Sequence, residues 1–202
     1  VVPMTQTVCL NMIVKNEVAT LKRCFASVRP FITHWCIVDT GSTDGTQDLI
    51  RRELGDLPGA LYERPWKDFG SNRTEAIQLA GTRAEWILLM DADDTLGTPP
   101  GYVLPTLEGD AYTLKVQAQG ISWQRTHLVR AGLPWYFKGV LHEYITCPHP
   151  VSTRPLEGVQ YTGTPGGARG HRGGRARTRR RYRSCRAAPR SGDGWASHGS
   201  GG

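Results

Sequence analysis

The chain has 202 residues, a formal net charge of +7 and five cysteines. This length suits one α/β domain with a large buried core and some residues left over. The charge is uneven: residues 1–164 carry 15 Lys and Arg against 17 Asp and Glu, whereas residues 165–202 carry ten Arg and one Asp. The folded part is therefore close to neutral, and the net charge of the whole chain does not indicate a specific nucleic-acid partner.

The cysteines and the apolar segments exclude several protein classes. The cysteines are scattered, odd in number and include no Cys-x-x-Cys pair, so neither a zinc site nor a disulfide framework is expected. The first residues lack the basic and apolar regions of a signal peptide, and no apolar stretch approaches the roughly 18–20 residues that span a bilayer. We expect a protein of a reducing compartment without a transmembrane segment.

The first hundred residues alternate between strand and helix patterns. Short runs rich in strand formers predict four buried strands, at residues 7–14, 34–39, 60–63 and 86–90. Helices are predicted after Asn16, over residues 46–54, and from Ser71 to residue 79; Asn16 and Ser71 are the expected caps. The buried stripe of the first helix would begin at Val18. Repeated strand–helix units favour a parallel sheet with right-handed crossovers.

Polar clusters lie at the ends of three of these strands, at residues 11–17, 39–44 and 91–94. In open α/β sheets the ligand crevice lies at the carboxyl ends of the strands, so the three clusters predict one binding site. Beyond residue 100 the pattern changes, and residues 111–119 and 122–129 predict antiparallel strands. From residue 164 the chain has no Ile, Leu, Val, Phe or Met, which predicts either a disordered tail or an out-of-frame terminus.

Asp91 and Asp93 are candidate metal ligands. Side chains two residues apart in an extended segment point to the same side, so both carboxylates could bind one Mg²⁺ or Mn²⁺ ion. Asp94 would point away and cap the next turn. The alternative is an ordinary polar loop, because Asp-x-Asp often occurs by chance.

Four further residues have two interpretations each. Asp39 could accept hydrogen bonds from a base or ribose, or it could only cap its own turn. Arg73 could bind a diphosphate, or it could be a surface residue paired with Asp68. His142 could be a third metal ligand and Glu143 a base for an acceptor hydroxyl, or both could belong to a half-buried strand.

Four motifs resemble, in the same order, those of family 2 glycosyltransferases of the GT-A fold. They are LNMIVKNE at 10–17, VDTGSTDGT at 38–46, WKDFGSNRTEA at 66–76 and WILLMDADD at 86–94. MIVKNE is typical of the bacterial branch that includes lipopolysaccharide-core glucosyltransferase-like proteins and enzymes with helical repeats. The resemblance is strong over residues 7–97 and extends weakly to Glu143.

The resemblance implies a mostly parallel, Rossmann-like α/β sheet with a smaller antiparallel region on the acceptor side. Residues 1–97 would be the nucleotide-sugar half, residues 98–163 the acceptor half of the same domain, and residues 164–202 the tail. It assigns nucleotide-sugar binding to eight residues: Asn11, Val14, Glu17, Asp39, Arg73, Asp91, Ala92 and Asp93.

The resemblance also implies a reaction. The donor would be a UDP-sugar, with Asp39 on the uracil or ribose, Arg73 near the diphosphate, and Asp91 and Asp93 around Mn²⁺ or Mg²⁺. The sugar would pass with inversion to an acceptor hydroxyl activated by Glu143. The acceptor could be a glycan, a lipid-linked sugar or a small metabolite.

Two alternatives and a location complete these expectations. The tail departs from the acidic helix with which relatives continue, so a nucleotide-sugar-binding protein with impaired turnover is one alternative. A nucleotidyltransferase is the other, although MIVKNE occupies the place where such an enzyme would have a Gly-rich phosphate loop. The expected location is the cytoplasm, and a peripheral association with the inner membrane stays open.

Overall fold

The computed structural model describes residues 6–139 and 143–163. The segment from residue 164 onward and the predicted metal ligand His142 lie outside the described residues. The helices are α1 Leu21–Val28, α2 Thr46–Leu54 and α3 Phe69–Ala80, with a short 3-10 helix at Arg29–Phe31. The strands are β1 Val8–Val14, β2 His34–Asp39, β3 Gly59–Glu63, β4 Trp86–Leu89, β5 Thr95–Gly97, β6 Ala111–Ala118, β7 Ile121–Arg130, β8 Tyr136–Lys138, β9 Tyr144–Thr146 and β10 Thr153–Thr162.

One eight-stranded sheet carries most of the described strands, in the order β3-β2-β1-β4-β7-β6-β10-β5. The first four strands of this order run parallel to one another. β7 pairs antiparallel with both β4 and β6, while β10 runs parallel to β6 and β5 antiparallel to β10. The predicted α/β class is confirmed, and the antiparallel region continues the parallel sheet directly through the β4–β7 pair.

Helices cover both faces of the parallel strands because side chains alternate along each strand. On β1, Val8, Leu10, Met12 and Val14 join the core cluster that contains the buried side chains of α1 and α2. Cys9 faces the other way and joins the cluster built around α3. This two-sided burial explains why β1 is a continuous apolar run. Among the described residues, no helix has the length and apolar character needed to cross a membrane.

The predicted start of α1 was wrong. α1 begins at Leu21, and Val18 is 39% exposed instead of contributing to the buried stripe. Asn16 does not cap the helix: it has a positive φ of 56°, and its Oδ1 accepts a hydrogen bond from the Thr43 amide at 2.8 Å. Asn16 therefore links the loop after β1 to the loop after β2.

The predicted cap of α3 was also wrong. Asp68 precedes the helix, and its Oδ1 accepts a hydrogen bond from the Ser71 amide at 2.7 Å. α3 consequently starts at Phe69, two residues before Ser71. This earlier start moves Phe69 and the first turn of α3 toward the carboxyl ends of the parallel strands.

Candidate functional site

A cavity of about 420 Å³ opens at the carboxyl ends of β1, β2 and β4. Its lining comes from the three loops that follow these strands and from the segment that leads into α3. The lining residues are Ile13, Val14, Lys15, Asn16, Glu17, Thr40, Trp66, Phe69, Ala92 and Asp93. The structure thus brings together the three predicted polar clusters, including the predicted residues Val14, Glu17, Ala92 and Asp93.

Asn11 lies away from this cavity. Its side-chain amide donates to the carbonyl oxygens of Cys36 at 3.0 Å and Ala76 at 2.9 Å, and the residue is 3% exposed. Asn11 therefore joins β1 to β2 and α3 inside the core. The side chain of Asn11, which the resemblance assigned to nucleotide-sugar binding, thus binds the backbone of neighbouring elements.

The loops after β1 and β2 are held together by side chains that bind backbone groups. The Asn16 amide donates to Ser42 Oγ at 2.8 Å, and the Val18 amide donates to Asp44 Oδ2 at 3.2 Å. Burial alone would raise the pKa of Asp44, but hydrogen bonds from Thr46 and the Val18 amide outweigh it and lower the pKa. Asp44 therefore stabilises this loop pair as a carboxylate.

Asp39 caps its own turn, which is one of the two predicted interpretations. Its Oδ1 accepts from the amides of Gly41 and Ser42, at 2.7 Å each, and Gly41 has a φ of 105° that favours glycine. Asp39 is fully buried, and its Oδ2 has no hydrogen-bond partner among the described residues. Oδ1 therefore stabilises the turn, whereas Oδ2 can still accept a hydrogen bond.

The aspartate loop, residues 91–94, is a turn and does not continue the strand. β4 ends at Leu89, and the Asp94 amide donates to the Asp91 carbonyl at 3.2 Å. The expected alternation of side chains is therefore lost, and Asp91 and Asp93 have different surroundings. Asp93 lines the cavity, whereas Asp91 is 8% exposed and its carboxylate pairs with the guanidinium of Arg73.

Arg73 is buried between two carboxylates. It pairs with Asp91, and its Nε lies 3.2 Å from Glu143 Oε1 without the geometry of a hydrogen bond. Burial would lower the pKa of Arg73, but Asp91 and Glu143 outweigh it and raise the pKa, so the guanidinium stays charged. The predicted surface pair with Asp68 was wrong, because Arg73 is 6% exposed.

Tyr161 holds the aspartate loop from the antiparallel region, and His127 packs against Tyr161. Sequence reasoning missed both. The Tyr161 hydroxyl accepts from the Asp91 amide at 3.1 Å. Burial and the carboxylates of Asp91 and Asp94 raise the pKa of Tyr161, which also bonds the Asp94 side chain. Asp94, which the sequence predicted to point away and cap the next turn, is a buried partner of Tyr161.

His127 is a neutral ring packed beside this cluster. Its Nδ1 lies 2.9 Å from the Leu89 carbonyl, so this nitrogen carries the proton, and the ring stacks on Tyr161 at 3.8 Å. Burial, followed by the charge of Arg125, lowers its pKa to about 3. Its Nε2 has no hydrogen-bond partner among the described residues.

The cavity offers donors of the kind that a hard divalent cation accepts. Within residues 6–139 and 143–163, no group of three or more His, Cys, Asp or Glu side chains could hold a metal ion. Mg²⁺ and Mn²⁺, however, are often bound through one or two carboxylates together with substrate phosphates and water. Asp93 in the cavity wall, with Asp91 next to it, fits a cation that arrives with a diphosphate.

Comparison with known proteins identifies the family. The sequence profile described as "Glycosyl transferase family 2" matches residues 9–109, which is half of the chain and includes all three loops of the cavity. Tyr161, His127 and Glu143 lie outside the matched range.

Two curated relatives match over 90 residues each. A TPR repeat-containing protein of Synechococcus elongatus is 40% identical over 44% of this chain and 21% of its own length. The SPbeta prophage-derived glycosyltransferase SunS of Bacillus subtilis is 34% identical over 45% of this chain and 21% of its own length. The matched part of the chain thus spans about a fifth of these relatives.

Solved structures overlap with part of the chain. TarS 1–349 of S. aureus in complex with UDP is 17% identical, with a TM-score of 0.44 over 55% of this chain and 36% of that one. Glucosyl-3-phosphoglycerate synthase from Mycobacterium tuberculosis, in complex with Mn²⁺, UDP and glucosyl-3-phosphoglycerate, is 19% identical, with a TM-score of 0.36 over 45% of this chain and 34% of that one.

The family match and the structure point to the same part of the molecule. The matched residues form β1 to β5, α1 to α3 and the whole wall of the cavity. The α/β sheet of the chain agrees with the GT-A fold that the sequence motifs implied. The chain belongs to glycosyl transferase family 2.

Proposed function

We propose that the chain binds a UDP-sugar together with Mn²⁺ or Mg²⁺ and transfers the sugar, with inversion, to an acceptor hydroxyl. The observation that carries this proposal is the cavity of about 420 Å³, which places the loops of β1, β2 and β4 around one space. Family membership supports the reaction class, and SunS, one of the relatives, is named a glycosyltransferase. The acceptor would be a glycan, a lipid-linked sugar or a small metabolite.

The nucleoside would lie against the apolar and aromatic part of the cavity wall. Val14, Thr40 and Trp66 line this part, and the rings of Trp66 and Phe69 contact edge to face at 4.8 Å. Asp39 directly precedes Thr40, and its buried Oδ2 would accept a hydrogen bond from the uracil N–H or a ribose hydroxyl once the turn at Gly41 opens toward the cavity. Glu17 and Lys15 would add polar contacts from the loop after β1.

The diphosphate and its cation would lie at Asp93. When bound, the cation would stabilise the charge that develops on the departing diphosphate. Asp93 would bind the cation from the cavity wall, and Asp91 would contribute from beside it. Arg73 supplies a buried positive charge at Asp91, which reduces the repulsion between neighbouring carboxylates and favours an anionic ligand nearby.

Glu143 would act as the base that takes the proton of the acceptor hydroxyl. A base must be ionised and within hydrogen-bond reach of the proton that it takes. The carboxylate of Glu143 lies in the same ion-pair cluster as Asp91, 3.2 Å from Arg73, and its side chain is 8% exposed. This position supports a base close to the diphosphate end of the donor.

The test measures donor binding to the full chain. UDP-glucose, UDP-N-acetylglucosamine, UDP and GDP-mannose are titrated by calorimetry with and without MnCl₂. Asp93→Asn should weaken the Mn²⁺-dependent binding at least about tenfold, as loss of a metal ligand or its support typically does. Asp48→Asn is the matched control, because it removes the same charge from an 87% exposed side chain on α2.

Two results would overturn the proposal. The first is the absence of binding by every nucleotide and nucleotide-sugar in the presence of MnCl₂. The second is equal Mn²⁺-dependent binding by wild type and Asp93→Asn, which would remove the metal assignment and leave a metal-independent transferase. If the Glu143→Gln variant turned over the donor as fast as wild type, Glu143 would not be the base.

A further inference from the structure

One face of α1 contacts the backbone that follows β4. Arg23 Nη2 donates to the Asp93 carbonyl at 2.7 Å, and Cys24 Sγ donates to the Asp91 carbonyl at 3.6 Å. Ser27 Oγ accepts from the Leu96 amide at 3.1 Å. The three side chains occupy positions i, i+1 and i+4 and so lie within about 100° of arc on the helix. Three contacts therefore connect one helix face to residues 91–96.

These contacts matter because the segment is a turn. Loop carbonyls that lack a partner leave a loop mobile, whereas side chains that bind them fix its backbone. Arg23 binds the carbonyl of Asp93 itself, so the peptide that carries this side chain is tied to a regular helix. Mg²⁺ and Mn²⁺ demand nearly ideal octahedral geometry, which requires that a protein ligand be held in place before the cation binds.

We propose that Arg23 is a positioning residue that orients Asp93 toward the cation of the donor. This inference rests on the proposed function, in which Asp93 binds that cation. Arg23 acts through the backbone of Asp93 and contacts neither donor nor acceptor. Ser27 supports the same segment from the next turn of α1.

Positioning and simple electrostatics predict opposite results. Arg23 is a positive charge near a site for a divalent cation, and coulombic repulsion alone predicts tighter Mn²⁺ binding once this charge is removed. Loss of the bond to the Asp93 carbonyl predicts weaker binding, because the ligand then has to be ordered by the cation itself. The direction of the change in Mn²⁺ affinity therefore decides between the two.

The matched control lies one residue away on the same helix. Lys22 is exposed and carries the same charge, so Lys22→Gln removes a positive charge from α1 without affecting the bond to Asp93. Arg23→Gln removes both the charge and the fork-shaped donor. Arg23→Lys keeps the charge and a donor group and should recover part of the affinity.

The experiment measures Mn²⁺ binding directly. Free Mn²⁺ is followed by electron paramagnetic resonance while MnCl₂ is titrated into the full chain at saturating UDP, for wild type, Lys22→Gln, Arg23→Gln, Arg23→Lys and Asp93→Asn. Arg23→Gln should raise the Mn²⁺ dissociation constant about tenfold, at the low end of effects for residues that support a ligand. Lys22→Gln should leave it unchanged or lower it slightly.

The outcomes separate this inference from the proposed function. If wild type binds no more Mn²⁺ than Asp93→Asn, the metal assignment is overturned, and this inference with it. If wild type binds Mn²⁺ more tightly than Asp93→Asn, but Arg23→Gln binds it at least as tightly as Lys22→Gln, this inference alone is overturned. If Arg23→Gln does not fold, Arg23→Lys decides instead: because it keeps the charge, a Mn²⁺ affinity weaker than that of wild type supports the inference, and an affinity equal to that of wild type overturns it.

Discussion

Two regions of this chain meet at the aspartate loop, and they hold it in different ways. The parallel strands β1 to β4 supply the cavity wall, through loops in which side chains such as Asn16 bind backbone amides. From inside the core, Tyr161 on the antiparallel strand β10 binds the loop, and His127 on β7 binds the end of β4 and stacks on Tyr161. The polar wall is visible in the sequence, whereas the buried support is not.

Residues outside the family match also support the aspartate loop and its partner Arg73. The profile ends at residue 109, yet the Asp91 amide is bound by Tyr161 on β10 and the Arg73 pair involves Glu143. The antiparallel region therefore supports the aspartate loop that follows β4.

The largest effect is expected from Arg73→Met, which leaves Asp91 and Glu143 buried without their shared cation. Breaking a buried ion pair in this way typically costs about 3–5 kcal/mol in the free energy of unfolding. Arg64→Met is the control, because Arg64 pairs with Glu75 at 2.7 Å while 34% exposed and should cost about 1 kcal/mol or less. Urea unfolding of both variants checks this. Equal costs would show that Arg73 does not join the two regions.

The second effect is a pH dependence from His127, whose pKa falls from 6.5 to about 3 in the folded chain because burial disfavours its charged form. Below about pH 6.5 the unfolded chain binds a proton that the folded chain does not, so this residue makes stability fall as the pH decreases toward 3. The slope is at most about 1.4 kcal/mol per pH unit.

His127→Asn isolates this contribution, because the variant keeps every carboxylate of the wild type. Between pH 6.5 and pH 5, wild type should lose about 2 kcal/mol more unfolding free energy than the variant. Chemical unfolding at a series of pH values measures the difference. Parallel curves for the two proteins would mean that His127 does not stay neutral in the folded chain.

The third effect concerns Tyr161→Phe, which removes the hydroxyl that binds the Asp91 amide and Asp94. A buried amide without a partner should cost about 1–3 kcal/mol of stability, and donor binding should weaken with it. Tyr112→Phe is the matched control, because its buried hydroxyl accepts from the amides of Glu108 and Gly109, away from the cavity. Unfolding and UDP titration separate the two variants: both should lose stability, but only Tyr161→Phe should lose UDP affinity.

Local patterns predicted the strands and the polar clusters well. β2 and α2 have the predicted bounds, because an apolar run and an amphipathic segment are each flanked by clear turn residues. Asn16 and Ser71 were wrong as caps. Asn16 binds the Thr43 amide in a neighbouring loop, and Asp68 takes the place of Ser71 as the cap of α3. The error at Asn16 arose because the tertiary structure chose its partner, whereas the error at Ser71 was local, because Asp68 lies only three residues before it.

Two features of the site required the folded chain. The expected alternation of Asp91 and Asp93 failed because β4 ends at Leu89 and the next residues turn. Tyr161 is 70 residues from Asp91 in sequence, and its role follows from the pairing of β10 with β6, which no local pattern encodes. The cavity wall could therefore be predicted as a set of clusters, but its buried support could not.

The smallest effect on stability, and the sharpest test of the cavity, comes from Trp66→Ala. Trp66 is 44% exposed at the cavity wall, so its removal should change the free energy of unfolding by less than about 1 kcal/mol. If the ring stacks on the nucleobase, UDP affinity should fall about tenfold, within the 1–3 kcal/mol typical of base stacking.

Trp123→Ala is the control, because Trp123 is 43% exposed on β7 and does not line the cavity. Calorimetric titration with UDP and with uridine separates a base contact from a phosphate contact, because loss of affinity for UDP alone would place Trp66 against the phosphates. Equal UDP affinity in both variants would show that the aromatic part of the wall does not bind the nucleoside.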